Sequence, residues 1–179
     1  MAPDAPADDQ PLAAGDFTTW LGDIKRSIRA GATSNVPCGT CTACCTSGQF
    51  VHIAPDETAT LAAIPTALLF PAPGGPTGHV LLGYDQHGHC PMLVEGACSI
   101  YEDRPRTCRA YDCRVFAATG VSPDADKPAI AAQARRWRFS YADDSALADA
   151  TSLKARAATT DPGASAMQRA VRAIQGEDA

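Results

Sequence analysis

The 179-residue sequence contains no run near the roughly 20 apolar residues that cross a bilayer. It also has no basic surplus: 15 lysines and arginines stand against 20 aspartates and glutamates, a net charge of -5 with a pI near 5.2. The first lack excludes a membrane-spanning helix. The second argues against a nucleic-acid module, which shows a basic domain or stripe. The opening Met1-Ala-Pro-Asp-Ala-Pro-Ala-Asp-Asp-Gln-Pro places acidic residues where a secretory signal needs basic ones, and no apolar segment follows. A Ser/His/Asp order, a glycine-rich phosphate loop, a paired-carboxylate signature and internal repeats are missing as well, so hydrolase chemistry has no support. The expectation is a soluble, cytoplasmic protein whose thiols stay reduced.

What the sequence does contain is cysteine, eight residues in two groups: Cys38, Cys41, Cys44 and Cys45, then Cys90, Cys98, Cys108 and Cys113. With 45% hydrophobic side chains the chain can build one modest core, so it does not need the disulfide framework of small secreted domains. All eight are therefore candidate metal ligands. A C-x2-C spacing lets two thiolates reach one metal while the intervening amides turn toward the sulfurs. Two such steps followed far away by Cys90-Pro91 resemble in part the ferredoxin run, where clustered cysteines hold an iron-sulfur cluster and one ligand precedes a proline. A cluster accepts ligands on several corners, whereas one tetrahedral zinc takes two from each knuckle. This tips the reading toward iron.

Adjacent Cys44 and Cys45 rarely aim at the same small ion, so they serve different metals, or one bridges, or one is a spare or redox-active thiol. A four-thiolate centre carries a charge near -2 that requires cations or hydrogen-bond donors close by. Arg104, Arg106, Arg109 and Arg114 are the only basic residues from Cys38 to Arg114, and they crowd Cys108 and Cys113. They can balance that charge, bind an anionic substrate, or merely pair with Glu102 and Asp103 at the surface. His87 and His89 precede Cys90 in a glycine turn, an ordinary place for exposed imidazoles. With eight cysteines, ligation by these or by His52 and His79 is unnecessary.

Residues 1–15, rich in Pro, Ala and Asp, are expected to form a disordered arm. Asp16 is placed to cap a helix of about 14 residues with Phe17, Trp20, Leu21, Ile24 and Ile28 on its apolar face. Pro55-Asp-Glu57 predicts a helix start, with Leu61 and Ile64 apolar until Pro65 stops it. Val80–Tyr84 and Cys90–Val94 read as a strand pair, weakened by Gly83 and Pro91, with a turn at Glu95-Gly96 and a short run from Cys98 to Tyr101. Pro105 opens a short helix predicted to carry Cys108 and Cys113. Trp137, Phe139 and Tyr141 alternate as on a half-buried strand, and residues 146–158 and 164–174 read as helices. The fold class expected is α+β: a small single domain of irregular cysteine-rich loops, a short antiparallel sheet and packing helices at both ends. Residues 16–145 would form the metal-binding domain, with a motif core at 38–114 and a helical segment over 146–179.

Cys38-x2-Cys41-x2-Cys44-Cys45, Cys90-Pro-Met-Leu93 and Cys98-Ser-Ile-Tyr-Glu-Asp-Arg-Pro-Arg-Thr-Cys108-Arg-Ala-Tyr-Asp-Cys113 together resemble the YkgJ-type cysteine-cluster family, also written CxxCxxCC. That resemblance implies a zinc- or iron-chelating domain with the eight cysteines as ligands. Tyr101, Glu102, Arg104, Pro105 and Arg109 are its further motif residues. Flagellin lysine N-methylases carry a related cluster, but no independent methyl-donor motif is found here. Three readings follow. The first is a redox-linked protein chelating iron, as an iron-sulfur cluster, that works with a redox or protein partner. The second is a structural zinc module for partner binding. The third is a metal-dependent enzyme modifying protein side chains, in which Cys45 and Tyr101 act beside the metal.

Overall fold

Turn and cap chemistry sets most element boundaries in the computed structural model, which describes residues 10–30, 33–34 and 36–176. Strand β1 (Leu12–Asp16) runs into helix α1 (Phe17–Ala30), whose start is fixed by the Asp16 carboxylate accepting from the Thr19 amide at 2.9 Å. Strand β2 (Val51–Ile53) leads to α2 (Thr58–Ala63), which ends ahead of Pro65. A 3-10 turn at Thr66–Leu68 then opens β3 (Leu69–Pro71), followed by β4 (Val80–Leu82), β5 (Leu93–Val94) and β6 (Ala97–Cys98). Helices α3 (Arg106–Ala110), α4 (Arg114–Thr119) and α5 (Pro128–Arg136) precede β7 (Trp137–Ser140), and α6 (Asp144–Ala158) and α7 (Ala166–Gln175) close the chain.

The fold class is α+β with short antiparallel sheets, as expected, and within it the residues group into two compact units. One comprises residues 1–32 and 112–179, the other residues 33–111. The expected boundary at 145 does not coincide with this division, because α6 and α7 pack on α4 within the first unit. No helix among the described residues is long and apolar enough to cross a membrane.

In the first unit β1 pairs in parallel with β7, so the expected disordered arm is corrected over its last residues; residues 1–9 lie outside the described residues. Composition hid this strand. Its five residues are Leu-Ala-Ala-Gly-Asp, without β-branched or aromatic side chains, and pairing with Trp137–Ser140 overrides that poor propensity. The register shifts between Ala13 and Gly15, and Gly15 (φ 94°) adopts a backbone that only glycine takes readily. Phe17, Trp20, Phe139 and Tyr141 interlock as an aromatic cluster. Beyond them, buried Ala146, Ala150, Ala157, Ala170 and Ala173 let helix backbones approach around Leu153 and Ile174.

In the second unit the sheet order is β2-β4-β3, all antiparallel. The expected pairing of Val80–Tyr84 with Cys90–Val94 does not occur. Pro91 offers no amide for a ladder, and the Asp85 side chain diverts the chain by accepting from the His87 and His89 amides at 2.8 and 2.9 Å. Leu93–Val94 pairs instead with Ala97–Cys98 across Glu95 (φ 50°) and Gly96 (φ 77°), a two-residue hairpin turn of the type that matches strand twist. The core of this unit is small: Ile53, Ile64, Leu82 and Met92, with Cys90 packed against it.

Candidate metal centre

Three local devices bring cysteines together in the second unit. The first loop turns so that the Cys41 amide donates to the Cys38 carbonyl at 2.9 Å. That loop is joined to the second group where the Cys90 amide donates to the Cys45 carbonyl and the Gly48 amide to the Gly88 carbonyl, both at 2.7 Å. Gly48 (φ 58°) and Gly88 (φ 79°) make this approach feasible, since a Cβ on Gly88 would sit 3.4 Å from the Gly48 nitrogen. The β5–β6 hairpin then folds Cys98 back opposite Leu93, whose amide donates to the Cys90 carbonyl at 2.9 Å.

Cys108 arrives on α3, which is fastened to β2 and α2 by side chains. The buried Glu57 carboxylate accepts from the Ala54 and Arg106 amides, Thr60 donates to the Asp103 carbonyl at 2.7 Å, and Thr107 donates to the His52 carbonyl at 2.6 Å. Glu57 was expected only at a helix start, and Thr107 had no expected role. A glutamate three residues after Ala54, at the mouth of a helix, is half of a capping box and was the available signal for Glu57. Thr107 carries no such local signature.

Burial and neighbouring thiols raise several of these cysteines. Burial, then the charges of Cys90, Cys98, Cys41 and Cys38, push the Cys45 thiol up to about 11. Burial, then Cys90, Cys45 and Cys98, push Cys108 up to about 12 against an opposing pull from Arg104. Cys108 is exposed as a residue, but its thiol is desolvated among the other sulfurs. Burial also raises Cys90. Six cysteines, Cys38, Cys41, Cys45, Cys90, Cys98 and Cys108, thus form one electrostatic group. Cys44 is exposed beside Cys45.

Cys113 is placed differently. The helix expected to carry both Cys108 and Cys113 ends at Ala110, because Tyr111 turns extended, and Cys113 becomes the residue before α4 in the first unit. There it is buried, and its Sγ accepts from Trp137 Nε1 at 3.2 Å.

The arginines divide in the same way. Arg114 is buried and forms an ion pair at 2.7 Å with buried Asp112, which also accepts from Trp20 Nε1 at 3.0 Å, while Arg114 Nη1 donates to the Ala14 carbonyl at the β1 irregularity. Arg106 pairs with Asp56 at 2.9 Å on the surface, and Arg104 lies 3.9 Å over the Tyr101 ring and donates to its carbonyl. The surface pairings expected with Glu102 and Asp103 give way to these. Arg109 Nε is buried and has no hydrogen-bond partner among the described residues. His87 and His89 are exposed.

This donor set fits a thiophilic metal: grouped, desolvated sulfurs whose mutual repulsion a cation relieves, with an unsatisfied buried N–H in the same unit. Among the described residues no three His, Cys, Asp or Glu side chains stand close enough to hold a single ion as they are placed. A pH dependence follows. In metal-free protein the raised thiols of Cys45, Cys90 and Cys108 favour the neutral form in the folded state, so folded and unfolded chains bind equal protons below about pH 9. Above it the unfolded chain loses thiol protons first. The denaturation midpoint of metal-free protein is expected to hold to about pH 9 and fall toward pH 12, with a shallower fall in Cys108→Ser, as denaturant titrations at each pH will read.

The CxxCxxCC family profile, described as "Putative zinc- or iron-chelating domain", matches residues 37–132, just over half of the chain. No curated protein and no solved structure gives a significant match. The matched span runs from the residue before Cys38 past Cys113 and takes in every cysteine, and by that match the chain belongs to the CxxCxxCC family.

Proposed function

We propose that the protein chelates iron as an iron-sulfur cluster held by cysteines of residues 33–111, and that it serves a redox-linked role in a reducing, cytoplasmic setting with a redox partner. The observation that carries this reading is the meeting of the two cysteine groups, where the Cys90 amide donates to the Cys45 carbonyl at 2.7 Å. Zinc with Zn–S bonds of about 2.3 Å requires thiolates roughly 3.8 Å apart, and only four of them. An iron-sulfur cluster also takes four thiolates, but on separate irons and so farther apart, and cysteines of which no three among the described residues stand close enough to hold a single ion suit that wider spacing. The ligands are drawn from Cys38, Cys41, Cys45, Cys90, Cys98 and Cys108; Cys44 flanks them, and Cys113 serves the packing of its own unit. When bound, the cluster supplies one-electron transfer. The chain's own residues orient the thiolates through the Cys45–Cys90 backbone bond, exclude water by packing Cys90 on the Ile53 and Leu82 core, and offer positive charge from Arg104.

A zinc reading draws on the small core of this unit, which metal-linked folding would supplement. Anaerobic purification followed by iron, sulfide and zinc analysis, with visible and electron paramagnetic resonance spectra, separates the two. Iron with acid-labile sulfide and a colour bleached on reduction is expected. Colourless protein with stoichiometric zinc and no sulfide would overturn the iron reading.

A further inference from the structure

His52 lies in β2 of the second unit and His79 immediately precedes β4. His52 sits in β2 opposite Leu81 of β4, and His79 is two residues before Leu81, so period-two alternation puts both on one sheet face. Their ring centroids are 4.8 Å apart at an interplanar angle of 41°. His79 Nδ1 is buried and makes no hydrogen bond among the described residues. A buried imidazole nitrogen without a partner loses its hydration for no return unless something binds it.

Gly75 presents no side chain toward His52: a Cβ there would stand 3.8 Å from His52 Nε2. Asp56 lies within electrostatic reach of His79, which lowers its carboxyl below the usual range after the larger effect of Arg106. An imidazole bound through nitrogen at about 2.0–2.1 Å has its centroid about 3.2 Å from the ion. Two imidazoles sharing one ion therefore hold their centroids about 4.5–5.2 Å apart for bond angles from a right angle to tetrahedral. The observed separation falls within that interval. His87 and His89, with centroids 6.1 Å apart, fall outside it and are exposed.

We propose that His52 and His79 form a two-imidazole site for one borderline divalent cation of the zinc, nickel or copper class, separate from the cysteine centre. Water completes its coordination beyond the two imidazoles. Imidazole is the ligand such cations favour, whereas the grouped thiolates suit softer metals. The inference does not depend on which metal the cysteines hold.

The test uses the full chain labelled with nitrogen-15 and titrated with zinc beyond the amount its cysteines take up. Long-range imidazole nitrogen spectra are recorded at each step. The nitrogens of His52 and His79 are expected to shift together and saturate with one further equivalent, while those of His87 and His89 do not follow. In His79→Gln, checked for a retained dispersed spectrum, the His52 response should weaken by at least the roughly 10- to 100-fold that loss of an outer-shell partner costs. His52→Gln should do the same to His79. Unchanged His52 and His79 resonances at excess zinc would overturn the proposal. So would a His52 response that survives intact in His79→Gln.

Discussion

Cys45→Ser should retain roughly a tenth or less of the metal that the wild-type protein carries, and Cys113→Ser should retain all of it. The asymmetry follows from where each sulfur stands. Cys45 is the thiol on which four other cysteines act, and its carbonyl receives the Cys90 amide. Serine preserves that backbone bond and nearly the same volume but supplies no thiolate at any ordinary pH, so the variant isolates the ligand role. Cys113 accepts a hydrogen bond from Trp137 inside its own buried setting, and a serine hydroxyl can accept the same bond. Elemental analysis of both variants after anaerobic purification, with circular dichroism to confirm folding, gives the result. Metal retained in Cys45→Ser would remove that residue from the ligand set. Metal lost from folded Cys113→Ser would overturn its assignment to packing.

Asp112→Ala should destabilise the first unit by about 3–5 kcal/mol, the typical effect of removing one partner from a buried ion pair. The carboxylate accepts from Arg114 Nε and Nη2, from the Arg114 amide and from Trp20 Nε1. Both charged side chains are almost fully buried, at 9% exposure for Arg114 and 1% for Asp112. Without Asp112 the buried guanidinium loses its ion-pair partner, and the indole N–H loses this acceptor. Against the 5–15 kcal/mol that stabilises ordinary domains, such a loss is a large share of the whole. Thermal and urea unfolding followed by tryptophan fluorescence should show a sharply lowered midpoint. The double variant Asp112→Leu with Arg114→Met, which removes both charges, should recover much of it. A single variant that melts within about 0.5 kcal/mol of wild type would show the pair to be energetically idle.

The residues that were readable in advance are those whose signals are local. Asp16 caps α1 because an aspartate before an apolar helical stripe needs nothing distant, and the alternation of Trp137 and Phe139 gives β7 for the same reason. Glu95-Gly96 likewise declares its hairpin. What stayed hidden depends on partners far along the chain. Strand β4 has two partners, β2 and β3, neither of which carries a strong strand signature in its three residues. Strand β1 exists only because β7 lies beside it, 125 positions away at the Leu12–Trp137 pairing. In the site, clustered cysteines marked themselves by spacing, whereas the bond from the Cys90 amide to the Cys45 carbonyl, which joins the two groups, has no local signal. The division of Cys108 and Cys113 between two short helices was illegible because the extended Tyr111 that separates them carries no breaker signal. The true role of Arg114 was equally so, since its acceptors Asp112 and Ala14 include a backbone oxygen 100 residues away.

The first unit is assembled from the two ends of the chain, with residues 33–111 inserted between them. For that host, the insert is a loop of 79 residues (111 - 33 + 1) that must close before β1 can meet β7. The Ser34 amide donates to the Arg109 carbonyl at 2.8 Å and thereby brings the roots of the insert together. An ordered insert thus presents the host with a span of a few residues instead of a long floppy one, a difference of roughly 2 kcal/mol in closure entropy. Whatever orders residues 33–111, a metal above all, would stabilise the helices and aromatic cluster of the host through the connectivity of the chain alone.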